Sequence, residues 1–193
     1  MKPFAVRSLS VATTFLALSG GALVLAQSPA TQLMSGYAEL GKTLDTKSAT
    51  SGEMIEARLA GSIQTTDGMK FPGGTELIGH VDQVQASHNG SEAKITITFD
   101  KAKLKDGKIV DIKATLIEVN SPDLVGEVPT KVASDDKFDQ QLTASGETLH
   151  SDVQATTSGT LMRTDKNISL ASGTRLLLAV APAAVVPGTA SGS

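Results

Sequence analysis

In three stretches between Ile55 and Leu116, apolar side chains fall at every second position. Ile55, Ala57, Leu59 and Ile63 alternate with Glu56, Arg58 and Ser62. Ala93, Ile95, Ile97 and Phe99 alternate with Lys94, Thr96 and Thr98, and Val110, Ile112, Ala114 and Leu116 with Asp111, Lys113 and Thr115. A period of two puts one set on the buried face of a strand and the other in water, and the β-branched content favours strand over helix.

The connections carry turn chemistry. Asn89-Gly90 and Asp106-Gly107 each supply the positive φ angles of a tight hairpin turn. Strands at about 75–86, 92–104 and 108–119 are therefore expected to form an antiparallel meander. The first alternates imperfectly: Leu77 and Val81 share one face, Ile78 and Val84 the other, which a bulge near Gly79 or burial on both faces would explain. Pro72-Gly73-Gly74 forms a turn before Thr75-x-Leu77, and Ser172-Gly173-Thr174-Arg175-Leu176 repeats that arrangement. The two segments are expected in related positions of one sheet or barrel.

Elsewhere the pattern weakens. Leu33, Tyr37, Leu40 and Leu44 have helical spacing, but Gly36 and Gly41 oppose a helix, and a short strand near 38–44 is expected after a linker at 27–37. Residues 120–160 hold Pro122, Pro129 and a Ser/Thr/Gly-rich run, so they read as a long polar insertion, with Phe138 and Leu142 spaced to anchor one short helix. The tail 181–193 is expected to be disordered. The fold class is all-β: one antiparallel barrel or sandwich spanning 38–180.

The start of the chain adds a compartment. Lys2 and Arg7 precede an uncharged, mostly apolar run from Leu9 to Ala26, and Val24-Leu25-Ala26 fits a cleavage site, so 1–26 is read as a signal peptide and the protein as periplasmic or secreted. No later segment could cross a membrane as a helix, because charges interrupt it. Cleavage removes two of 17 bases and none of 20 acids, which leaves a net charge of −5 and argues against nucleic acid as partner. With no cysteine, thiol chemistry and thiolate metal sites are excluded. Past the signal the aromatics are Tyr37, Phe71, Phe99 and Phe138, too few for a stacking groove.

Candidate chemistry is sparse. Leu44-Asp45-Thr46-Lys47 is close to an aspartic-protease loop, but Lys47 stands where the turn needs glycine, so Asp45 is expected to accept backbone N–H bonds instead. His80 and Asp82 share a strand face and, with His88 and His150, offer a metal-site alternative without a fixed third ligand nearby. No nucleophile elbow or phosphate loop is present. Lys101, Lys103, Lys105 and Lys108 alternate with apolar residues and are read as an edge-protecting face or, more sharply, as a candidate interaction strand for an acidic partner or a cell-wall polymer.

The ordered series Ile55-x-Ala57-x-Leu59, Asp67-Gly68, Pro72-x-Gly74-Thr75-x-Leu77-x-Gly79, Phe99, Asp106-Gly107 and Gly173-Thr174-x-Leu176 resembles the C-terminal β-barrel domain of conjugal-transfer TrbI-type proteins of the type IV secretion core. The whole set, with Leu44-Asp45-x-Lys47 and Gly52-Glu53 added, also resembles a group of small exported bacterial proteins of unknown function. The resemblance covers roughly 38–119 and 168–180. It implies a β-barrel or sandwich used for protein assembly and no catalytic residues; the partner is expected to be another envelope protein or the chain itself, with no cofactor. TrbI-type proteins carry a cytoplasmic tail, a membrane helix and a long Pro-rich linker before the barrel, whereas here only a signal peptide is expected. The expectation is a non-catalytic envelope module. The alternatives are an envelope hydrolase or metal enzyme using His80 and Asp82, and a barrel holding a small ligand.

Overall fold

The computed structural model describes residues 33–65, 68–120, 132–133, 135–141 and 146–183. All regular structure among them is strand: β1 Met34–Leu40, β2 Leu44–Asp45, β3 Met54–Leu59, β4 Ile63–Gln64, β5 Lys70–Phe71, β6 Glu76–Gln85, β7 Ala93–Lys103, β8 Ile109–Asn120, β9 Lys137–Gln141, β10 Thr148–Asp152, β11 Gly159–Arg163, β12 Ser169–Leu170 and β13 Arg175–Pro182. One sheet runs β6-β3-β1-β13-β8-β7-β11-β10-β9, and β6 also pairs with β7. That extra pairing closes six strands into an antiparallel barrel and leaves β11, β10 and β9 as an extension.

The expected meander is present as β6, β7 and β8. Ala93, Ile95, Ile97 and Phe99 point into the barrel, each at most 1% exposed, together with Ile55, Ala57, Leu59, Leu77, Leu116, Leu176 and Leu178. Six strands enclose less room than the eight whose interior side chains just fill, so this barrel is a solid core.

The imperfect alternation of β6 comes from two register shifts against β7, one between Ile78 and Gly79 and one between Val81 and Gln83. The second leaves Asp82 unpaired and returns Val84 to the face of Leu77 and Val81, where it packs on the core. Gly79 is required here, because a Cβ would land on the Thr98 carbonyl. Asn89 and Gly90, with φ of 53° and 81°, form the primed turn that their residue types demand. At Asp106-Gly107 only Gly107 has positive φ, 84°, so this hairpin uses a three-residue loop with Leu104 N–H donating to the Lys108 carbonyl at 2.8 Å.

The repeated glycine-threonine segments do occupy related positions. Leu59 N–H donates to the Thr75 carbonyl at 2.9 Å and Gly74 N–H to the Leu59 carbonyl at 2.7 Å; Leu40 N–H donates to the Thr174 carbonyl at 2.9 Å and Gly173 N–H to the Leu40 carbonyl at 2.8 Å. Gly74 and Gly173 share a φ of 85°, and Thr75 and Thr174 are both buried. In each case a two-residue strand pair follows: β4 with β5 beyond β3, and β2 with β12 beyond β1. Since β1 and β3 are antiparallel, these two caps close opposite ends of the barrel.

Three expectations are corrected. The linker expected at 27–37 ends inside β1, which starts at Met34 because Leu33 and Tyr37 are buried against a second cluster outside the barrel. The insertion expected at 120–160 contains β9, β10 and the start of β11, and Phe138 lies on a strand, with Leu142 outside the described residues. The tail expected from 181 begins with the end of β13 at Pro182; residues 184–193 and the signal peptide 1–26 lie outside the described residues.

Candidate interaction surface

β7 is where the wall forks. Glu76–Gln85 of β6 runs along one side of it; on the other, Ala93–Ile97 pairs with β11 and Lys101–Lys103 with β8. Ser158, 1% exposed, fills the fork: its N–H donates to the Ile97 carbonyl at 2.9 Å, its hydroxyl accepts from Phe99 N–H at 2.8 Å, and its carbonyl accepts from Leu116 N–H at 2.8 Å. The Ser151 hydroxyl donates to the Leu116 carbonyl beside it. Small hydroxyl residues therefore satisfy the backbone where two sheets part. In the sequence they read only as loop.

The extension folds over the outer face of β13 and β8. Leu33, Tyr37, Ile117, Val132, Val153, Leu177, Ala179 and Ala181 form a second apolar cluster, and Phe138 of β9 packs against it. This burial on both faces is why β13 reads as an unbroken apolar run, Leu176 to Ala181, rather than as an alternation. Glu147 is fully buried at the start of β10, held by Arg163 Nη1 at 2.8 Å, with its second oxygen unbonded.

The four lysines separate. Lys101 and Lys103 face outward on a strand bonded on both sides, so the edge expected there does not exist. Lys105 and Lys108 sit in and beside the hairpin loop. Lys103 Nζ lies 3.2 Å from Glu76, which also pairs with Arg58 at 3.1 Å. This pair belongs to one line of residues opposed across neighbouring strands, Arg175, Glu39, Arg58, Glu76 and Lys103, in which charge alternates around the outer wall. Arg175 also stacks on Tyr37, 4.6 Å from the ring centre. The groove beside Glu76, about 390 Å³, is lined by Arg58, Gly74, Lys103, Leu104 and Lys105. It is open, its single acid Glu76 is shared by Arg58 and Lys103, and Lys105 is a further cation outside the ladder.

His80 Nε2 lies 3.3 Å from Asp82, which accepts a 2.8 Å hydrogen bond from Thr98. His150 pairs with Asp139 of β9 at 2.7 Å, opposite it across the strands. His80 and His150 thus lie in two separate histidine–carboxylate pairs, and no cluster of three ligating side chains occurs among the described residues. Asp45 accepts the Lys47 N–H at 2.8 Å, a local turn with no catalytic geometry.

The open end of the sheet is β9. It bonds β10 through Gln141 opposite Thr148 to Lys137 opposite Asp152, and no described strand pairs with its other side. Lys137 bridges to Asp152 at 3.2 Å, and Asp152 sits below the ordinary carboxylate range because Gln154 N–H, first, and then Lys137 bond its charged form. No family model matches the chain, and no curated protein matches it either. Among the described residues no helix is long and apolar enough to cross a membrane.

Proposed function

We propose that this protein is an exported, non-catalytic cell-envelope module that docks another envelope protein, in the manner the TrbI-type resemblance implies. The observation that carries the reading is β9, a strand hydrogen-bonded on one side only among the described residues, packed on the outer cluster through Phe138 and tied to β10 by the Lys137–Asp152 pair. An edge of that kind offers main-chain donors and acceptors to an added strand. The filled interior supports docking over the small-ligand alternative, since Phe99, Ile97 and Leu116 occupy the space a ligand would need. The lysines of β7 favour a partner on the outer wall less strongly, because Glu76 neutralises Lys103.

The test uses proline at two successive positions. Neighbouring residues of a strand point their N–H groups to opposite sides, so of Asp139→Pro and Gln140→Pro one blocks the open side and the other breaks pairing with β10. The reading expects the first kind to keep the wild-type circular dichroism and lose the partner that co-purifies with the wild type from the envelope fraction. Retention of that partner by both variants would overturn it.

A further inference from the structure

We infer that β9 pairs with β9 of a second copy of this chain, antiparallel and centred on Phe138, to make a two-fold dimer. The inference rests on the docking reading above and names the partner. Lys137-Phe138-Asp139 is self-complementary when reversed: Lys137 falls opposite Asp139 of the other copy, Phe138 opposite Phe138, and Asp139 opposite Lys137.

The neighbouring strand makes the match longer. In the register of β10 with β9, Asp152 opposes Lys137 and His150 opposes Asp139. Across the new seam each line would therefore read Asp152, Lys137, Asp139, His150, with acid and base alternating through four strands of two copies. Lysine on an edge strand normally repels an incoming strand. Here the same edge presents the acid that cancels it, which favours its own copy over an unrelated strand. Phe138, half-buried against the cluster of Leu177 and Ile117, would gain an aromatic neighbour and join the two outer clusters. An interface of one short strand is small, so the dimer is expected to be weak and concentration-dependent.

Sedimentation velocity on the purified full chain, from about 1 µM to about 1 mM, spans the range in which such an interface dissociates. The expected result is a shift from monomer to dimer as concentration rises. Lys137→Asp sets two carboxylates together across the seam, Asp139→Lys sets two ammonium groups together, and each is expected to raise the dissociation midpoint at least about tenfold, a change of about 1.4 kcal/mol. Mixing the two variants restores both pairs and is expected to give a heterodimer with the wild-type midpoint. Circular dichroism and melting of each variant separate a loss of pairing from a loss of fold. A wild-type chain that stays monomeric, or a mixture that fails to recover association, would overturn the dimer. If the chain is monomeric while an edge-blocking proline still releases a different envelope protein, self-pairing fails and the docking reading stands.

Discussion

The nine-stranded sheet has two ends, and they are finished in opposite ways. At one end β6 curls onto β7 and pairs through nine of its ten residues, Glu76–Gln85, using two bulges and Gly79 to make the approach. At the other end β9 offers five residues with one strand beside it among the described residues. The closed end is built from long apolar strands, two bulges that break their alternation, and a glycine with no room for a side chain. The open end is polar, held by one aromatic residue and ion pairs. Closure removes one edge, and among the described residues the sheet's other edge, β9, keeps its main-chain donors and acceptors unpaired on one side.

The largest effect is expected at the closed end. Gly79→Ala places a methyl group against the Thr98 carbonyl, backbone that cannot step aside without opening the seam, so a loss of at least about 3 kcal/mol in urea unfolding is expected. Gly159→Ala at the fork meets Leu116 Cβ at 3.2 Å and Leu149 Cδ1 and Ser151 Cβ at 3.3 Å, contacts that a shift of a few tenths of an ångström relieves, and should cost about 1–2 kcal/mol. Equal losses would mean that the seam is no tighter than the fork.

Next in size is the ion pair beneath the extension. Glu147→Ala strands Arg163, whose side chain is only 22% exposed, and is expected to cost about 2–4 kcal/mol. Glu76→Ala removes the acid between Arg58 and Lys103, whose side chains are 66% and 48% exposed, and should cost less than about 1 kcal/mol. Thermal melts of the two variants check the ordering.

The smallest effect is a pH dependence local to β9. The pKa of Asp152 is lowered in the folded chain, so its contribution is present above the ordinary carboxylate range and is lost as pH falls through the folded value. Glu53, lowered by the Lys42 hydrogen bond first and by the Thr50 N–H, behaves with the same sign near β3. The protection factors of the β9 amides, exchange corrected for its intrinsic pH dependence, should therefore fall on acidification below that range in the wild type, and the fall should shrink in Asp152→Asn. An identical acid response in Asp152→Asn would detach β9 from this pair.

Most of the barrel is legible in the sequence because its strands are buried on one face, so Ile95, Ile97 and Phe99 alternate with Lys94, Thr96 and Thr98. The recurrence of Gly74-Thr75 in Gly173-Thr174 points to the paired clasps for a local reason, the positive φ that only glycine takes easily. The extension is not legible. β9 and β10 are five residues each, Phe138 is the only aromatic in them, and much of their hold on the rest comes from Ser158 and Ser151, a residue type that usually marks loops, and from Glu147, a charged type that is seldom buried. The lysines on β7 suggest an edge because outward charge is common to edge strands and to the wet face of a central one. Only the partner of each strand tells these apart, and that depends on contacts far along the chain.

Residue-resolved amide exchange in dilute and concentrated solution compares the two ends directly. With β6–β7 closed and β9 open for docking, the β6 and β7 amides should be protected equally at both concentrations, while outward-facing amides of β9 exchange fast when dilute and slow when concentrated. Protection of β9 that is already complete in dilute solution, or fast exchange along β6 and β7, would contradict the account.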